Sequence, residues 1–280
     1  MKYPYKINVE STTGCNARCT FCTRYTMTRK HGQMKDELFY KIIKEGKEIG
    51  IKEYSPFLMG DPFMFPNIWH WLDHMRDEEV IVSLYTNGIY IDVDRLIEYP
   101  NIKYLNFSVN AATPETHFKL MRGPSFDVVR KNYAEAMEKA YFPVRASFII
   151  QEENEHELED FKKMFPKHEV TGFSNWTGDR HDKLERKGEK VPCWVLFHQM
   201  TILCDGTVVP CCMDYDGKQV LGDANTQHLK EIWDNAEWMR EKHRNYDFTT
   251  FVCRNCNYNV KHKFYKETDE GPNSNTSDSK

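Results

Sequence analysis

Short apolar runs alternate with longer amphipathic runs from residue 5 to about residue 173. The apolar runs are rich in β-branched residues and predict six strands, at residues 5–10, 53–59, 80–86, 102–109, 144–151 and 169–175. The amphipathic runs between them predict helices at residues 35–49, 67–77, 93–98, 125–140 and 155–165. Parallel strands are usually joined by helical crossovers, so the alternation predicts an α/β fold with a parallel sheet. Periodicity alone leaves open whether this sheet is doubly wound or curved into a partial barrel.

The composition predicts a folded protein made of one large domain or of a large domain and a small one. The chain has 280 residues, 40% of them hydrophobic, and a net charge of −4 with both signs interspersed. This charge argues against nucleic acid as a partner, because dedicated nucleic-acid binders usually show a basic excess. No signal-peptide core and no membrane-length apolar stretch are visible, so we expect a cytoplasmic protein that does not associate with membranes. The nine cysteines are then interpreted as metal ligands or catalytic thiols rather than as disulfides.

The C-terminal third differs in character from the region of alternating strands and helices. A charged segment separates the two and predicts either a solvated linker or a lid over the active site. Beyond it, "TILCDGTVVPCC" predicts a hairpin on a turn at Asp205 and Gly206, and residues 225–244 predict one helix. The expected divisions are a first domain, the linker or lid, a second domain and a disordered polar tail, at residues 1–177, 178–192, 193–264 and 265–280.

Cys15, Cys19 and Cys22 lie within eight residues, directly after the first predicted strand. Ligand-binding residues of α/β sheets gather at this end of the strands. A compact Cys-x3-Cys-x2-Cys loop can wrap one corner of a cubane cluster, with one thiolate on each of three irons. The fourth iron is then open to a substrate or cofactor. The alternatives are a zinc site completed by a distant ligand, or three unrelated thiols.

This loop resembles the signature of the radical S-adenosylmethionine (radical SAM) superfamily, including the aromatic Phe21 before the last cysteine. Three later segments resemble landmarks of the same family, in the same order. "MGDPFMFP" is similar to its Gly-Gly-Glu-Pro segment, but Met59 and Asp61 stand where Gly and Glu are usual. "YTNG" is similar to its Thr-Asn-Gly turn, and "FSVNAATPETHFKLMRG" resembles a strand stretch that is followed by a helix and Arg-Gly.

The resemblance covers roughly residues 6–174 and implies a partial (β/α)6, TIM-like barrel with a cluster at the C-terminal ends of the strands. It implies that S-adenosylmethionine (SAM) chelates the open iron of a 4Fe-4S cluster held by the three-cysteine loop. The residues that it implies as SAM contacts are Phe21, Gly60, Asp61, Thr86, Asn87, Ser108 and Asn110. Arg122 and Arg145 could pair with the carboxylate of the cofactor or equally with a neighbouring acidic residue.

Six cysteines remain, and two of them, Cys253 and Cys256, form a compact chelating pair that indicates a metal site without identifying the metal. The further ligands must come from the other four, which are Cys193, Cys204, Cys211 and Cys212. Cys211 and Cys212 are adjacent on a predicted strand, so at most one of them faces the metal. The predicted hairpin places Cys204 on the same face as Cys211, so the alternation of side chains along the strands does not exclude Cys204 as a ligand.

The order of these cysteines resembles the auxiliary-cluster region called SPASM, in its shortened twitch form. This resemblance implies a small α+β domain that holds one auxiliary 4Fe-4S cluster. The ligands that it implies are Cys193, Cys211, Cys253 and Cys256, which leaves Cys204 and Cys212 as ordinary buried thiols. A cluster whose four irons are all bound to protein would carry electrons without binding substrate. Four thiolates in a small ββα unit could instead bind zinc.

The family resemblance implies an enzyme that reductively cleaves SAM to a 5′-deoxyadenosyl radical, which abstracts hydrogen from a substrate. It implies SAM and two 4Fe-4S clusters as cofactors, and an electron donor such as flavodoxin or ferredoxin. Chain length favours oxidation of a small polar molecule, with the auxiliary cluster as electron acceptor, over modification of a peptide. Such a dehydrogenation needs a base near the substrate. The candidates are His181, His198 and Tyr215, and the sequence does not distinguish between them. The alternative to an enzyme is a zinc-binding protein that binds nucleic acid or a protein partner.

Overall fold

The computed structural model describes residues 2–184, 187–260, 267–268 and 271–272. Within these ranges the helices are α1 (Asp36–Glu48), α2 (Ile68–Asp77), α3 (Val93–Leu96), α4 (Pro114–Met121), α5 (Phe126–Lys139), α6 (Leu158–Met164), α7 (Trp194–His198), α8 (Leu229–Asn235) and α9 (Glu237–Arg244). The strands there are β1 (Lys6–Val9), β2 (Glu53–Ser55), β3 (Ile81–Thr86), β4 (Ile102–Ser108), β5 (Val144–Ile150), β6 (His168–Gly172), β7 (Gln199–Ile202), β8 (Thr207–Val209), β9 (Gly222–Asp223), β10 (Glu267–Thr268) and β11 (Gly271–Pro272).

The strands of the described ranges join one sheet, in the order β11-β10-β6-β5-β4-β3-β2-β1-β7-β8-β9. Strands β1 to β6 are parallel neighbours in chain order. Strand β7 is also parallel and pairs with the other side of β1, whereas β8, β9, β10 and β11 are antiparallel additions at the two edges. Among the described residues β1 and β6 do not pair with each other, so the six-stranded unit is not closed.

The six strands predicted from the alternation are all present, and the five predicted helices correspond to α1, α2, α3, α5 and α6. Helix α4 is the helix predicted after the fourth strand, in the segment "FSVNAATPETHFKLMRG". Strand β2 is shorter than predicted, because the chain turns after Ser55, whose carbonyl accepts a hydrogen bond from Phe57 N–H at 2.8 Å. The α/β class with a parallel sheet is therefore confirmed.

The prediction of one helix at residues 225–244 is wrong. Two helices, α8 and α9, meet at Ala236. The guanidinium of Arg240 donates to the carbonyl of Trp233 at 2.5 Å and lies over the Trp233 ring, 4.0 Å from its centroid. This side chain satisfies a carbonyl at the end of α8, where helices otherwise leave unpaired acceptors. Sequence periodicity did not reveal this break.

Strands β10 and β11 lie within the tail that was expected to be disordered, and the remainder of residues 265–280 lies outside the described residues. The predicted boundary at residues 178–192 is not an interruption of the sheet, since β7 continues it on the far side of β1. No helix in the described part of the chain is long and apolar enough to cross a membrane.

The two faces of the parallel strands differ in chemistry. One face contributes side chains such as Ile7, Leu105 and Phe148 to the apolar core that packs against the helices. The opposite face carries buried polar side chains, including Lys6, Asn8, Glu53, Ser55 and Ser83. A closed TIM barrel fills its interior mainly with branched apolar side chains. The inner face of this open unit is instead suited to polar contacts.

Glu53 lies buried between two lysines on this polar face. Its carboxylate is 3.2 Å from Lys6 Nζ and 2.6 Å from Lys103 Nζ, and it accepts a hydrogen bond from Ser83 Oγ at 2.6 Å. Burial opposes ionisation of Glu53, but the charge of Lys6 and the other partners outweigh burial and hold its pKa below the ordinary value. Burial lowers the pKa of Lys6, and the charge of Glu53 counteracts this. The two residues therefore depend on each other as a buried ion pair.

We expect Glu53→Gln to lower the free energy of unfolding by about 3 kcal/mol, because removing one partner leaves the other charge buried without compensation. Glu78→Gln is the matched control, since Glu78 pairs with Lys47 at the surface with side chains 40% and 42% exposed. Exposed ion pairs contribute less than about 1 kcal/mol. Urea denaturation followed by circular dichroism measures both losses, and equal losses in the two variants would contradict this assignment.

Candidate active site and cluster sites

Backbone hydrogen bonds from three directions fix the three-cysteine loop that follows β1. Thr13 N–H donates to the carbonyl of Gly32 at 2.9 Å. On a second side, Arg18 N–H and Thr20 N–H donate to the last carbonyls of α4, each at 2.9 Å. On a third side, the carbonyl of Gly14 accepts from Asp61 N–H at 2.8 Å. The loop is thus held in place before any ligand binds.

The loop brings the thiols of Cys15, Cys19 and Cys22 close enough to influence one another. Burial raises the pKa of Cys15 to about 11 and that of Cys19 well above its ordinary value, and the charge of Cys22 raises both further. Cys15 Sγ accepts a hydrogen bond from Ala17 N–H, and Cys22 Sγ accepts one from Arg24 N–H, each at 3.4 Å. Such thiols give up their protons when a metal cation compensates the charge.

Four of the predicted SAM contacts lie together beside this loop. The buried carboxylate of Asp61 accepts hydrogen bonds from Thr86 Oγ1 at 2.9 Å, Asn87 N–H at 2.7 Å and Phe63 N–H at 3.0 Å. Asn87 Nδ2 in turn reaches Cys15 Sγ at 3.7 Å. Gly60 precedes Asp61, and a side chain there would meet Thr12 O at 2.2 Å. The Asp61 side chain therefore joins the loop after β2 to the turn after β3.

The other predicted SAM contacts lie in two separate places. Ser108 ends β4 in register with Ser147, and its hydroxyl has no hydrogen-bond partner among the described residues. Asn110 has a left-handed backbone (φ 61°), and its Oδ1 accepts from Ile149 N–H at 2.8 Å. Its side chain thus holds the ends of β4 and β5 together. Phe21 lies inside the three-cysteine loop, half-buried.

The sequence did not reveal the contacts that the segment after β6 makes with the loop. Trp176 Nε1–H donates to the carbonyl of Phe21 at 3.1 Å, and Arg180 Nη2 donates to the carbonyl of Cys22 at 3.0 Å. Tyr215 packs edge-on against Trp176, with ring centroids 5.8 Å apart. Trp176, Arg180 and Tyr215 thus pack against the end of the loop that carries Cys22. No short motif carries this information, because the partners are more than 150 residues apart in the chain.

Five of the C-terminal cysteines lie near one another. Burial raises the pKa of Cys211 well above its ordinary value, and the charges of Cys212, Cys193, Cys256 and Cys253 raise it further. Burial likewise raises the pKa of Cys193 to about 12, with contributions from Cys256 and Cys253. Burial also raises the pKa of Cys212, to about 11; the charge of Cys256 raises it further, and the charge of Lys6 lowers it. The predicted auxiliary ligands are therefore brought together, with Cys212 beside them.

Cys204 is separated from this group. Its backbone N–H donates to Glu10 Oε2 at 3.0 Å, and its thiol lies 3.8 Å from Arg29 Nη1. The prediction that Cys204 shares a face with Cys211 is wrong, because Leu203 N–H bonds to Thr207 O and leaves a three-residue turn rather than a two-residue one. A register shift of one residue moves every side chain to the opposite face. Gly206, at φ 96°, takes the left-handed position that such a turn requires.

The three candidate bases occupy different environments. The carbonyl of His198 accepts from Tyr5 N–H, so His198 lies at the N-terminal edge of the sheet, opposite the three-cysteine loop. His181 is exposed. Tyr215 is buried beside the loop and donates to Asp179 Oδ2 at 3.0 Å, and burial together with Asp179 raises its pKa to about 12. Tyr215 shares an apolar cluster with Cys22, and its raised pKa keeps its hydroxyl protonated at neutral pH.

Both proposed donor sets consist of cysteine thiols, which are the side chains that hold iron–sulfur clusters. A cubane takes one thiolate on each iron, so its ligands stand farther apart than those of a mononuclear zinc site. The three-cysteine loop and the four predicted auxiliary ligands are thus compatible with two cubanes, the first of which would keep one iron open.

Family models match both parts of the chain. A model described as the Radical SAM superfamily matches residues 9–165, and one described as an iron-sulfur cluster-binding domain, SPASM, matches residues 193–257. Among curated proteins, the S-adenosyl-L-methionine-dependent 2-deoxy-scyllo-inosamine dehydrogenase of Niallia circulans is 22% identical over 262 residues, which cover 90% of this chain and 92% of the relative. A probable GTP 3′,8-cyclase of Methanococcus maripaludis is 24% identical over 144 residues, and the chain spans about half the length of such relatives.

Solved structures confirm the predicted fold. BtrN in complex with AdoMet and 2-DOIA has a TM-score of 0.66 at 19% identity, covering 91% of this chain and 93% of that one. Native anSMEcpe with bound AdoMet has a TM-score of 0.69 at 15% identity, covering 94% of each chain. The fold is accordingly α/β, a partial TIM-like barrel followed by a small SPASM-type domain. On the strength of its matched core, the chain belongs to the radical SAM superfamily and carries a C-terminal SPASM iron–sulfur domain.

Proposed function

We propose that this protein is a radical SAM oxidoreductase that dehydrogenates a small polar molecule. The observation that carries the proposal is the presence of two separate cysteine groups, namely the three thiols of the loop and a C-terminal group that contains the four proposed auxiliary ligands. A three-thiolate cluster supplies an open iron for SAM and the electron that converts SAM to a 5′-deoxyadenosyl radical, which abstracts hydrogen from the substrate. A four-thiolate cluster would suit the role of acceptor for the electron that the substrate radical loses as it becomes the oxidised product.

The protein's own residues then have distinct tasks. Cys15, Cys19 and Cys22 would hold the first 4Fe-4S cluster. SAM would lie along the ends of the strands, against Phe21, Gly60, Asp61, Thr86, Asn87, Ser108 and Asn110. In this arrangement Asp61 positions the turn at Thr86 and Asn87, and Ser108 is free to donate to a ribose. The second 4Fe-4S cluster would be held by Cys193, Cys211, Cys253 and Cys256.

Two observations favour a small polar substrate. The polar inner face of the strands, with Lys6, Asn8 and Ser55 buried on it, suits hydroxyl or amino groups. The dehydrogenase of Niallia circulans aligns over nine tenths of both chains. A peptide substrate is the second candidate, since native anSMEcpe with bound AdoMet and Cp18Cys peptide covers 94% of this chain at a TM-score of 0.66. We further propose a cytoplasmic location and flavodoxin or ferredoxin as the electron donor.

Anaerobically purified and reconstituted protein tests the proposal. We expect about eight irons and about eight sulfides per chain, which is the content of two cubane clusters. Dithionite and SAM should then yield 5′-deoxyadenosine. A panel of deuterated aminocyclitols and sugars, compared with deuterated peptides, should transfer deuterium into 5′-deoxyadenosine from one class only. Protein that contains zinc and no iron would instead support the zinc-binding alternative. Deuterium transfer from peptides alone would show that the substrate is a peptide and not a small molecule.

A further inference from the structure

His243 lies at the end of α9, fully buried beside the auxiliary cysteines. Its Nδ1 lies 3.1 Å from the backbone nitrogen of Cys193, and its Nε2 lies 3.3 Å from the sulfur of Cys253. The edge of its ring faces Phe248, with centroids 5.1 Å apart. One imidazole thus joins two of the four proposed cluster ligands, through a backbone amide on one side and a sulfur on the other.

The geometry fixes the tautomer of this ring. A backbone N–H can only donate, so Nδ1 must accept from Cys193 N–H and cannot carry a proton. The single proton of the neutral imidazole is therefore on Nε2. That proton points at Cys253 Sγ, and 3.3 Å is within hydrogen-bond range for a sulfur acceptor.

We infer that His243 tunes the reduction potential of the auxiliary cluster by donating a hydrogen bond from Nε2 to the sulfur of Cys253. The inference rests on the proposed function, which assigns Cys253 as a cluster ligand. A hydrogen bond to a ligand sulfur stabilises the more negative, reduced state more than the oxidised one, and so raises the potential. An electron acceptor benefits from this change, because a higher potential favours transfer of the electron from the substrate radical to the cluster.

Lys190 also contacts the segment that carries Cys253. Its Nζ donates to the carbonyls of Cys253 and Arg254, at 2.6 and 2.7 Å. It therefore orients the loop between Cys253 and Cys256 without donating to a sulfur. His243 is then the group whose removal should change the potential while the loop stays anchored.

The test uses His243→Leu, which removes the donor, and His243→Gln, which keeps an N–H donor of similar reach. The matched control is His198→Leu, the same exchange at a half-buried histidine whose ring packs against Trp194 rather than against a cysteine sulfur. Each is made in the full chain carrying Cys15→Ala, Cys19→Ala and Cys22→Ala, so that the auxiliary cluster is measured alone. A redox titration followed by electron paramagnetic resonance gives the midpoint potential.

We expect His243→Leu to lower the potential enough to shift the reduced-to-oxidised ratio at least tenfold, or about 59 mV for one electron. His243→Gln should recover most of this change, and His198→Leu should show none. An unchanged potential in His243→Leu, with about four irons retained, would overturn the inference. Absence of iron in the triple-alanine parent would instead overturn the proposed auxiliary cluster itself, so the two failures are distinguishable.

A second measurement covers the case in which His243→Leu loses its cluster. The holoenzyme is labelled with ¹⁵N-histidine, and pulsed electron paramagnetic resonance is recorded on its reduced auxiliary cluster. The inference predicts a hyperfine coupling to an imidazole nitrogen that disappears in His243→Gln. A reduced cluster without this coupling would show that His243 is only a packing residue.

Discussion

Cys19→Ala is expected to reduce the formation of 5′-deoxyadenosine from SAM and dithionite to the level of a protein-free blank. Cys19 is the middle ligand of the three-cysteine loop, and burial together with the charges of Cys22 and Cys15 keeps its thiol protonated when no metal is bound. Two remaining thiolates cannot hold a cubane that binds SAM at a fourth iron. Iron content should fall from about eight to about four per chain, because the second cysteine group is separate.

The control for this prediction is Cys204→Ala. Cys204 is as buried as a core residue, but it lies against Glu10 and Arg29 rather than in either cysteine group. We expect this variant to retain about eight irons and to form 5′-deoxyadenosine at the rate of the unchanged protein. If Cys204→Ala lost the product as completely as Cys19→Ala does, the assignment of the first ligand set would be wrong.

Gly60→Ala is expected to destabilise the protein by about 4 kcal/mol, at the upper end of the cost of overpacking. An added Cβ would stand 2.2 Å from Thr12 O and 2.6 Å from Gly14 O. Both neighbours are backbone atoms of the segment that leads into the three-cysteine loop, so neither can move aside without displacing that loop. The variant should therefore lose the first cluster as well as stability, measured by iron content and by urea denaturation.

Gly32→Ala is the matched control for Gly60→Ala. Gly32 also borders the loop, through its carbonyl to Thr13 N–H, but an added Cβ there would meet nothing closer than Cys204 Sγ at 3.6 Å. This is an ordinary van der Waals distance. We expect a change in stability within about 0.5 kcal/mol. A large loss of iron in Gly32→Ala would indicate that the loop is sensitive to any substitution, rather than to the close approach at Gly60.

The sequence was most informative where the determinants are local. Cys15, Cys19 and Cys22 are separated by three and two residues, so their spacing already specifies a loop that can hold three thiolates on one side. The six parallel strands were visible for a similar reason, since each is a short apolar run followed by an amphipathic one. These features depend on periodicities of a few residues, which the chain displays directly.

The sequence was least informative where partners are distant in the chain. The contacts of Trp176 and Arg180 with the three-cysteine loop have no local signature. The face on which Cys204 lies depends on one residue of turn length, and the dipeptide Asp205-Gly206 is compatible with either register. His243 is one histidine among eleven, and only its two partners distinguish it. Such features arise from tertiary packing, which overrides local preference.

The placement of β1 between β2 and β7 has a consequence for biosynthesis. The strand that leads into the three-cysteine loop is synthesised well before β7, so Gln199 and its neighbours must emerge before the second edge of β1 is paired. At about 5–20 residues per second, the nascent chain exposes that edge for on the order of ten seconds or longer. Unpaired parallel edges are sites of aggregation. Early delivery of iron and sulfide would meet a loop whose preceding strand is paired on one edge only, so loading of the first cluster is best matched to a chain in which β7 has already paired with β1.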